Sequence, residues 1–217
     1  MKNKVLFLLS FLLLSVDVAT AQRPFTEGTV KYKVEFKNKV EATFTGTYIF
    51  TFKNGFIRKE LKLSNGFENV ELINTNDNTV YSLRSNNGRK YAIQLSMDEM
   101  SSRQEPYKGF TMLEDPDKEK VIAGKKAMKT VLVYKNGSKA NLYVSLDWYP
   151  DKTITYERFP DARFLPLEYT YSDDVKGFTM HMVAESVSQS PVENAIFRIP
   201  ADYKMISNEE YKLLSQQ

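Results

Sequence analysis

The chain of 217 residues carries 30 Lys and Arg against 27 Asp and Glu, with one His, one Trp and no Cys. Absent cysteines exclude thiol catalysis, thiolate metal sites and disulfide scaffolds, and a single histidine leaves no imidazole cluster for zinc or iron. A formal charge of +3 is too small for a polyanion-binding surface unless strongly segregated, while 42% hydrophobic and 13% aromatic content is enough for a core.

The first element is a leader. Met1 to Ala21 places Lys2 and Lys4 before an apolar run from Val5 to Val16, followed by small residues at Ala19 and Ala21. This is the three-part pattern of a secretory signal peptide with cleavage after Ala21. The run is shorter than the ~20 residues of a membrane span, and no cysteine follows it to take a lipid anchor. The expected mature product is one domain, residues 22–217, periplasmic or secreted, soluble and not lipid-anchored.

After Gln22 the chain alternates with period two. Val30, Tyr32, Val34 and Phe36 share one parity. Ala42, Phe44, Tyr48, Phe50 and Phe52 continue the pattern with threonines between them. Shorter alternating segments follow at Ile57/Leu61/Leu63, Val70/Leu72, Tyr81/Leu83 and Tyr91/Ile93/Leu95. Asn54-Gly55, Asn65-Gly66, Asn87-Gly88 and Asn136-Gly137 read as two-residue hairpin turns, which require positive φ at both central positions. Further strands are expected over 129–135, 139–146, 152–156, 165–171 and 178–187.

The predicted fold is mainly β: an antiparallel up-and-down meander of about ten or eleven strands curling into an unclosed half-barrel, with one or two short helices. Ser96 to Arg103 predicts a short helix carrying Met97 and Met100, and Tyr107 to Asp117 reads as a loop. Ser207 followed by Glu210 is a capping box opening a last helical turn over 208–214.

The chemistry-bearing residues are sparse. His181 shares a strand face with Thr179 and Val183, away from Met180 and Met182, and reads as a rim histidine rather than a base. Glu114-Asp115-Pro116-Asp117 and Asp173-Asp174 lack the ligand spacing of a calcium loop and read as solvated turns. Lys125-Lys126-Ala127-Met128-Lys129 reads as a strand edge guarded by lysines. No phosphate loop or nucleophile elbow occurs, and no catalytic residue, metal site or cofactor is predicted.

The apolar residues are more informative. Phe44, Tyr48, Phe50, Leu61, Tyr81, Leu142, Leu167, Tyr169, Met180 and Met182 lie on strand faces, and Met97, Met100, Phe110 and Met112 in the irregular segments. Methionine adapts to shape, so a Met- and aromatic-lined concavity under the 96–117 segment is the candidate site for an apolar ligand.

One string of motifs carries a resemblance: Ile122-Ala-Gly-Lys-Lys-Ala-Met128, Ala140-Asn-Leu-Tyr-Val-Ser145, Leu165-Pro-Leu-Glu168 and Ala195-Ile-Phe-Arg-Ile-Pro-Ala-Asp-Tyr-Lys204. Their order resembles a secreted Gram-negative, Bacteroidota-type family of unknown function. Its members look similar to the lipoprotein carriers LolA and LolB, unclosed half-barrels with helices plugging an apolar concavity. Lys125, Ala127, Tyr143 and Asp202 stand where that family usually has Tyr, Cys, Trp and Gly. The resemblance implies Gly124 as a turn and Phe197 as a closing core residue, and implies no catalysis.

The expected function is therefore non-enzymatic: a carrier or envelope-associated factor binding a lipid-like or other apolar molecule, with no nucleic acid partner and no integral membrane span. The alternative is an interaction module with a filled core that docks onto an envelope protein. A third reading, an outer-membrane barrel, conflicts with the many strand lysines and the polar C-terminus.

Overall fold

Alternation of apolar and polar side chains becomes strand wherever it was expected in the first half of the chain. The computed structural model describes residues 23–40, 42–86, 88–150, 159–160, 162–173 and 177–214. The leader, and the strand expected over 152–156, lie outside the described residues. A short β1 (Arg23–Phe25) precedes six strands in succession: β2 (Glu27–Asn38), β3 (Thr43–Lys53), β4 (Phe56–Leu63), β5 (Glu68–Asn74), β6 (Thr79–Asn86) and β7 (Arg89–Leu95). Each pairs antiparallel with the next.

The turns follow two chemistries. Asn54 and Gly55 both take positive φ, 51° and 87°, as a two-residue hairpin turn requires. Asn65-Gly66 and Asn136-Gly137 differ from that expectation, because only their glycines have positive φ. At the first of these, Gly66 N–H donates to the Leu63 carbonyl at 3.0 Å and Phe67 N–H to Asn65 Oδ1 at 3.0 Å. The asparagine side chain thus closes a longer loop with glycine alone in the left-handed region. Asn87 lies outside the described residues.

After β7 come α1 (Met97–Gln104) and a 3-10 turn (Glu105–Tyr107), then β8 (Thr111–Ile122), β9 (Lys125–Val133), β10 (Lys139–Ser145) and β11 (Trp148–Pro150). The chain then continues through β12 (Pro166–Asp173), β13 (Phe178–Ser188), a 3-10 turn (Asn194–Phe197), β14 (Lys204–Ser207) and α2 (Asn208–Leu214). The large sheet has the order β14-β7-β6-β5-β4-β3-β2-β13-β12-β10-β9-β8, with no pairing of its outer strands among the described residues. It is an open half-barrel, and an open sheet would leave edge hydrogen bonds unsatisfied in lipid. No helix among the described residues is long and apolar enough to cross a membrane.

Several expectations are corrected here. The strands do not form one continuous meander. Two meanders, β2 to β7 and β8 to β13, meet where β13 pairs with β2. β14 adds in parallel to β7, and β1 pairs in parallel with β11. The loop expected over 107–117 is strand from Thr111 onward, so Glu114 to Asp117 lie in β8, at a register shift between Asp115 and Glu119, rather than in a turn. A bulge absorbs the proline and clustered charge that made this stretch look irregular. Lys125 to Lys129 belong to β9, an interior strand between β8 and β10 in which Ala127 and Met128 are buried. The edge on this side is β8, and the opposite edge is β14. Ala123 and Gly124, with φ of 50° and 71°, form the tight turn joining β8 to β9.

One face of the sheet wraps around the main core. Its buried cluster joins Ile73 and Val80, near one end of the sheet, to Ile122 and Leu132 near the other. Phe25 seals the base, its ring centroid 4.7 Å from Phe52 and 5.1 Å from Trp148. It lies against Gly28, where an added Cβ would sit 2.4 Å from the Phe25 ring and 2.2 Å from the Ser188 carbonyl oxygen. On the outer face, Leu72, Leu83 and Ala92 are covered by Ile199 and Tyr203. The capping box forms as expected: Glu210 N–H donates to Ser207 Oγ at 3.1 Å and Ser207 N–H to Glu210 Oε2 at 2.7 Å.

The C-terminal segment is fastened by charge. Lys53 Nζ donates to the Val192 carbonyl at 2.6 Å and lies 3.0 Å from Glu27 Oε1, which also accepts from Val192 N–H. Arg58 Nη1 donates to the Ile196 carbonyl at 3.1 Å. The Val192 N–H, followed by the Lys53 ammonium, holds the Glu27 carboxyl below the usual carboxylate range. A depressed folded-state pKa stabilises above the unfolded value, and the contribution disappears as pH falls through the folded one. As pH falls below the ordinary glutamate range and through the depressed folded value, the segment around Val192 is therefore expected to loosen. Hydrogen exchange at the Val192 amide against pH checks this, and Glu27→Gln should remove the acid dependence.

Candidate functional site

The connection from β7 to β8 must travel from one side of the sheet to its opposite edge, and it does so across the inner face. Met100 of α1, Tyr107 and Phe110 pack against the main core, while Arg103 of α1 lines a cavity of about 390 Å³ beneath the crossing. One wall is apolar: Tyr48, Leu61 and Leu63 from β3 and β4, Tyr169 and Tyr171 from β12, and Met180 and Met182 from β13. Phe36, Phe178 and Phe159 extend it. Phe36 and Phe178 stack with centroids 5.2 Å apart, and Tyr171 meets Phe178 edge-on at 5.8 Å.

The other wall is polar. A row of residues in direct register crosses the strands from Phe50 to Lys59, Glu71, Ser82 and Ile93. Lys59 is only 4% exposed, and its Nζ has no hydrogen-bond partner among the described residues. The nearest carboxylate oxygen, Glu71 Oε2, is 3.9 Å away. Arg84 Nε donates to Ser82 Oγ at 3.1 Å, and its guanidinium lies 5.9 Å from the Phe67 ring centroid. Lys59, Glu71, Arg84, Asn65, Asn69 and Arg103 all line the same cavity.

Of the sequence-predicted site residues, Tyr48, Leu61, Tyr169, Met180 and Met182 are brought together on the lining. Phe50, Leu142 and Leu167 are fully buried in the core behind it, and Phe44 is half-buried, its ring 6.3 Å from Phe36. Met100 and Phe110 pack against the core from the crossing segment. Met97 opens α1, and its side chain lies outside the described part. Two residues fall elsewhere. Tyr81 is on the outer face, lining a separate cavity of about 260 Å³ with Phe197 and Ile199, and Met112 is exposed on the edge strand β8. Phe197, expected to close the core, instead packs on Phe56 with centroids 5.8 Å apart.

Sequence reasoning missed the cationic residues, although the signal for one was present. Ile57, Leu61 and Leu63 were assigned to a buried face, and period two puts Lys59 on that same face. Arg84 shares its parity with Val80 and Ser82 rather than with the Tyr81/Leu83 pair chosen as apolar. Arg103 required knowledge of where the crossing runs.

His181 sits away from the cavity, with Nε2 3.4 Å from Glu168 Oε1, and Lys120 Nζ also bonds Glu168. No group of three His, Asp or Glu side chains placed to hold a metal ion occurs among the described residues.

No protein-family model matches the chain, and no curated protein matches it in sequence. Among solved structures, MucB is 12% identical with a TM-score of 0.42, over 84% of this chain and 61% of that one. A chain of the Pseudomonas aeruginosa MucA/MucB complex gives 9% identity and a TM-score of 0.45, over 84% of this chain and 59% of that one. A LolA superfamily protein from Nitrosomonas europaea gives 10% and 0.37, over 82% and 92%. The chain thus spans only 61% of the MucB chain it matches.

Proposed function

We propose that the protein is a non-enzymatic periplasmic or secreted carrier, or envelope-associated factor, that binds a lipid-like or other apolar molecule on the inner face of its half-barrel. The observation that carries this reading is the unfilled space of about 390 Å³ bounded by tyrosine, phenylalanine and methionine side chains. A cleft of this size falls within the roughly 300–1,000 Å³ of small-molecule sites. A filled inner face would have supported the docking module instead.

That second reading draws on a different feature. The edge strand β8 exposes Leu113 and Val121, and an unpaired edge with apolar side chains can accept a strand from a partner. Native mass spectrometry of the mature protein extracted from the envelope separates the two. The carrier is expected to emerge with bound small molecules, or to take up a fluorescent lipid when stripped. A protein that always emerges empty and takes up none would sink the carrier reading.

A further inference from the structure

We infer that the occupant of the inner cavity is a single-chain amphiphile with an anionic head, a carboxylate or a phosphate, held by Lys59 together with Arg84 and Arg103. This rests on the carrier reading and adds the chemistry of the ligand. Lysine is almost never fully buried unless paired, and an ammonium taken from water without hydrogen bonds carries a large desolvation penalty. Lys59 is 4% exposed, lines the cavity, and offers three N–H donors of which none is used among the described residues. Glu71 Oε2, at 3.9 Å, compensates charge without accepting a hydrogen bond.

Two further cations converge on the same space. Arg84 is held through Nε by Ser82 Oγ at 3.1 Å, a geometry that fixes the guanidinium plane while its Nη fork suits a two-oxygen acceptor. Arg103 reaches the cavity from α1 on the crossing segment, so the head group would be held between sheet and crossing. Among the described lining residues Lys59 and Arg84 face one carboxylate, Glu71, and Arg103 brings a further positive charge, so the polar wall favours an anion. The opposite wall, built by Met180, Met182, Tyr169 and Phe178, suits an aliphatic chain. A volume of about 390 Å³ is near the low end for small-molecule sites, which favours one chain over a diacyl or triacyl lipid.

The test is calorimetric titration of the stripped mature protein with laurate, lauryl phosphate, methyl laurate and inorganic phosphate, below micelle-forming concentrations. Laurate or lauryl phosphate is expected to bind at least about tenfold more tightly than methyl laurate, as a charge-assisted hydrogen bond to a buried cation implies. Lys59→Met should erase most of that preference, read as the ratio of laurate to methyl laurate affinity in the variant against the parent. Arg103→Gln, on the crossing helix, should reduce the preference without touching the sheet. Methyl laurate binding as tightly as laurate, or a preference that survives both variants, would overturn the head-group assignment while leaving the carrier reading intact. Inorganic phosphate competing with laurate at equal affinity would identify a free-anion site and overturn the amphiphile. Failure of every chain-bearing probe to bind would overturn the carrier reading as well.

Discussion

Tyr32→Ala is expected to lower the unfolding free energy by about 3–5 kcal/mol, and Tyr32→Phe by about 1–3 kcal/mol. Tyr32 is fully buried at the point where the two meanders meet. Its hydroxyl donates to the Pro166 carbonyl at 2.7 Å, tying β2 to the start of β12 across the inner face. Its ring lies 5.9 Å from Tyr48 and 5.8 Å from Tyr169, both of which line the cavity. Truncation to alanine removes a large buried surface and leaves a hole continuous with the cavity, so the neighbours have little reason to collapse into it. The phenylalanine variant keeps the packing and isolates the hydrogen bond, because Pro166 would then hold a buried carbonyl without that donor. Urea denaturation of both variants measures the two quantities. A Tyr32→Phe protein as stable as the parent would show that the carbonyl is satisfied elsewhere and that the tie between β2 and β12 is packing alone.

That residue was legible in the sequence, and the reason it was legible also explains what was not. Tyr32 belongs to an alternating run whose polar partners, Lys31, Lys33 and Glu35, leave one choice of buried face. The same logic works through β3 and β13. It fails at β5 and β6, where Val70/Leu72 and Tyr81/Leu83 look like the inner face but pack outward under Ile199 and Tyr203. There both faces of the sheet are covered, so the more apolar parity no longer marks the interior. The inner parity of those strands instead carries Ser82 and three residues of the polar side of the cavity, Asn69, Glu71 and Arg84. Periodicity is a local signal. It could not report that β13 returns to pair with β2, or that β7 and β8 fall on opposite sides of the joint, and the crossing that places Arg103 follows from those long-range pairings alone.

Lys59→Met combined with Glu71→Leu is expected to stabilise the fold by about 1–4 kcal/mol while abolishing the preference for an anionic amphiphile. Replacing this poorly bonded ion pair, its lysine buried and its glutamate partly so, with apolar side chains of similar reach removes the desolvation cost of both charges. Lys59 is flanked in register by fully buried Phe50, and Met follows its unbranched stem, so the substitution suits the existing packing. The single change Lys59→Met should be less stable than the double variant, because it leaves Glu71 facing the cavity without its cation. Thermal unfolding of the parent, single and double variants, read beside laurate and methyl laurate binding, separates two roles for the lysine. Stability gained together with lost carboxylate preference means that the buried charge is maintained for ligand recognition at a cost to the fold. A double variant that unfolds more readily than the parent would instead make the Lys59 and Glu71 pair part of the scaffold, with the anion preference residing in Arg84 and Arg103.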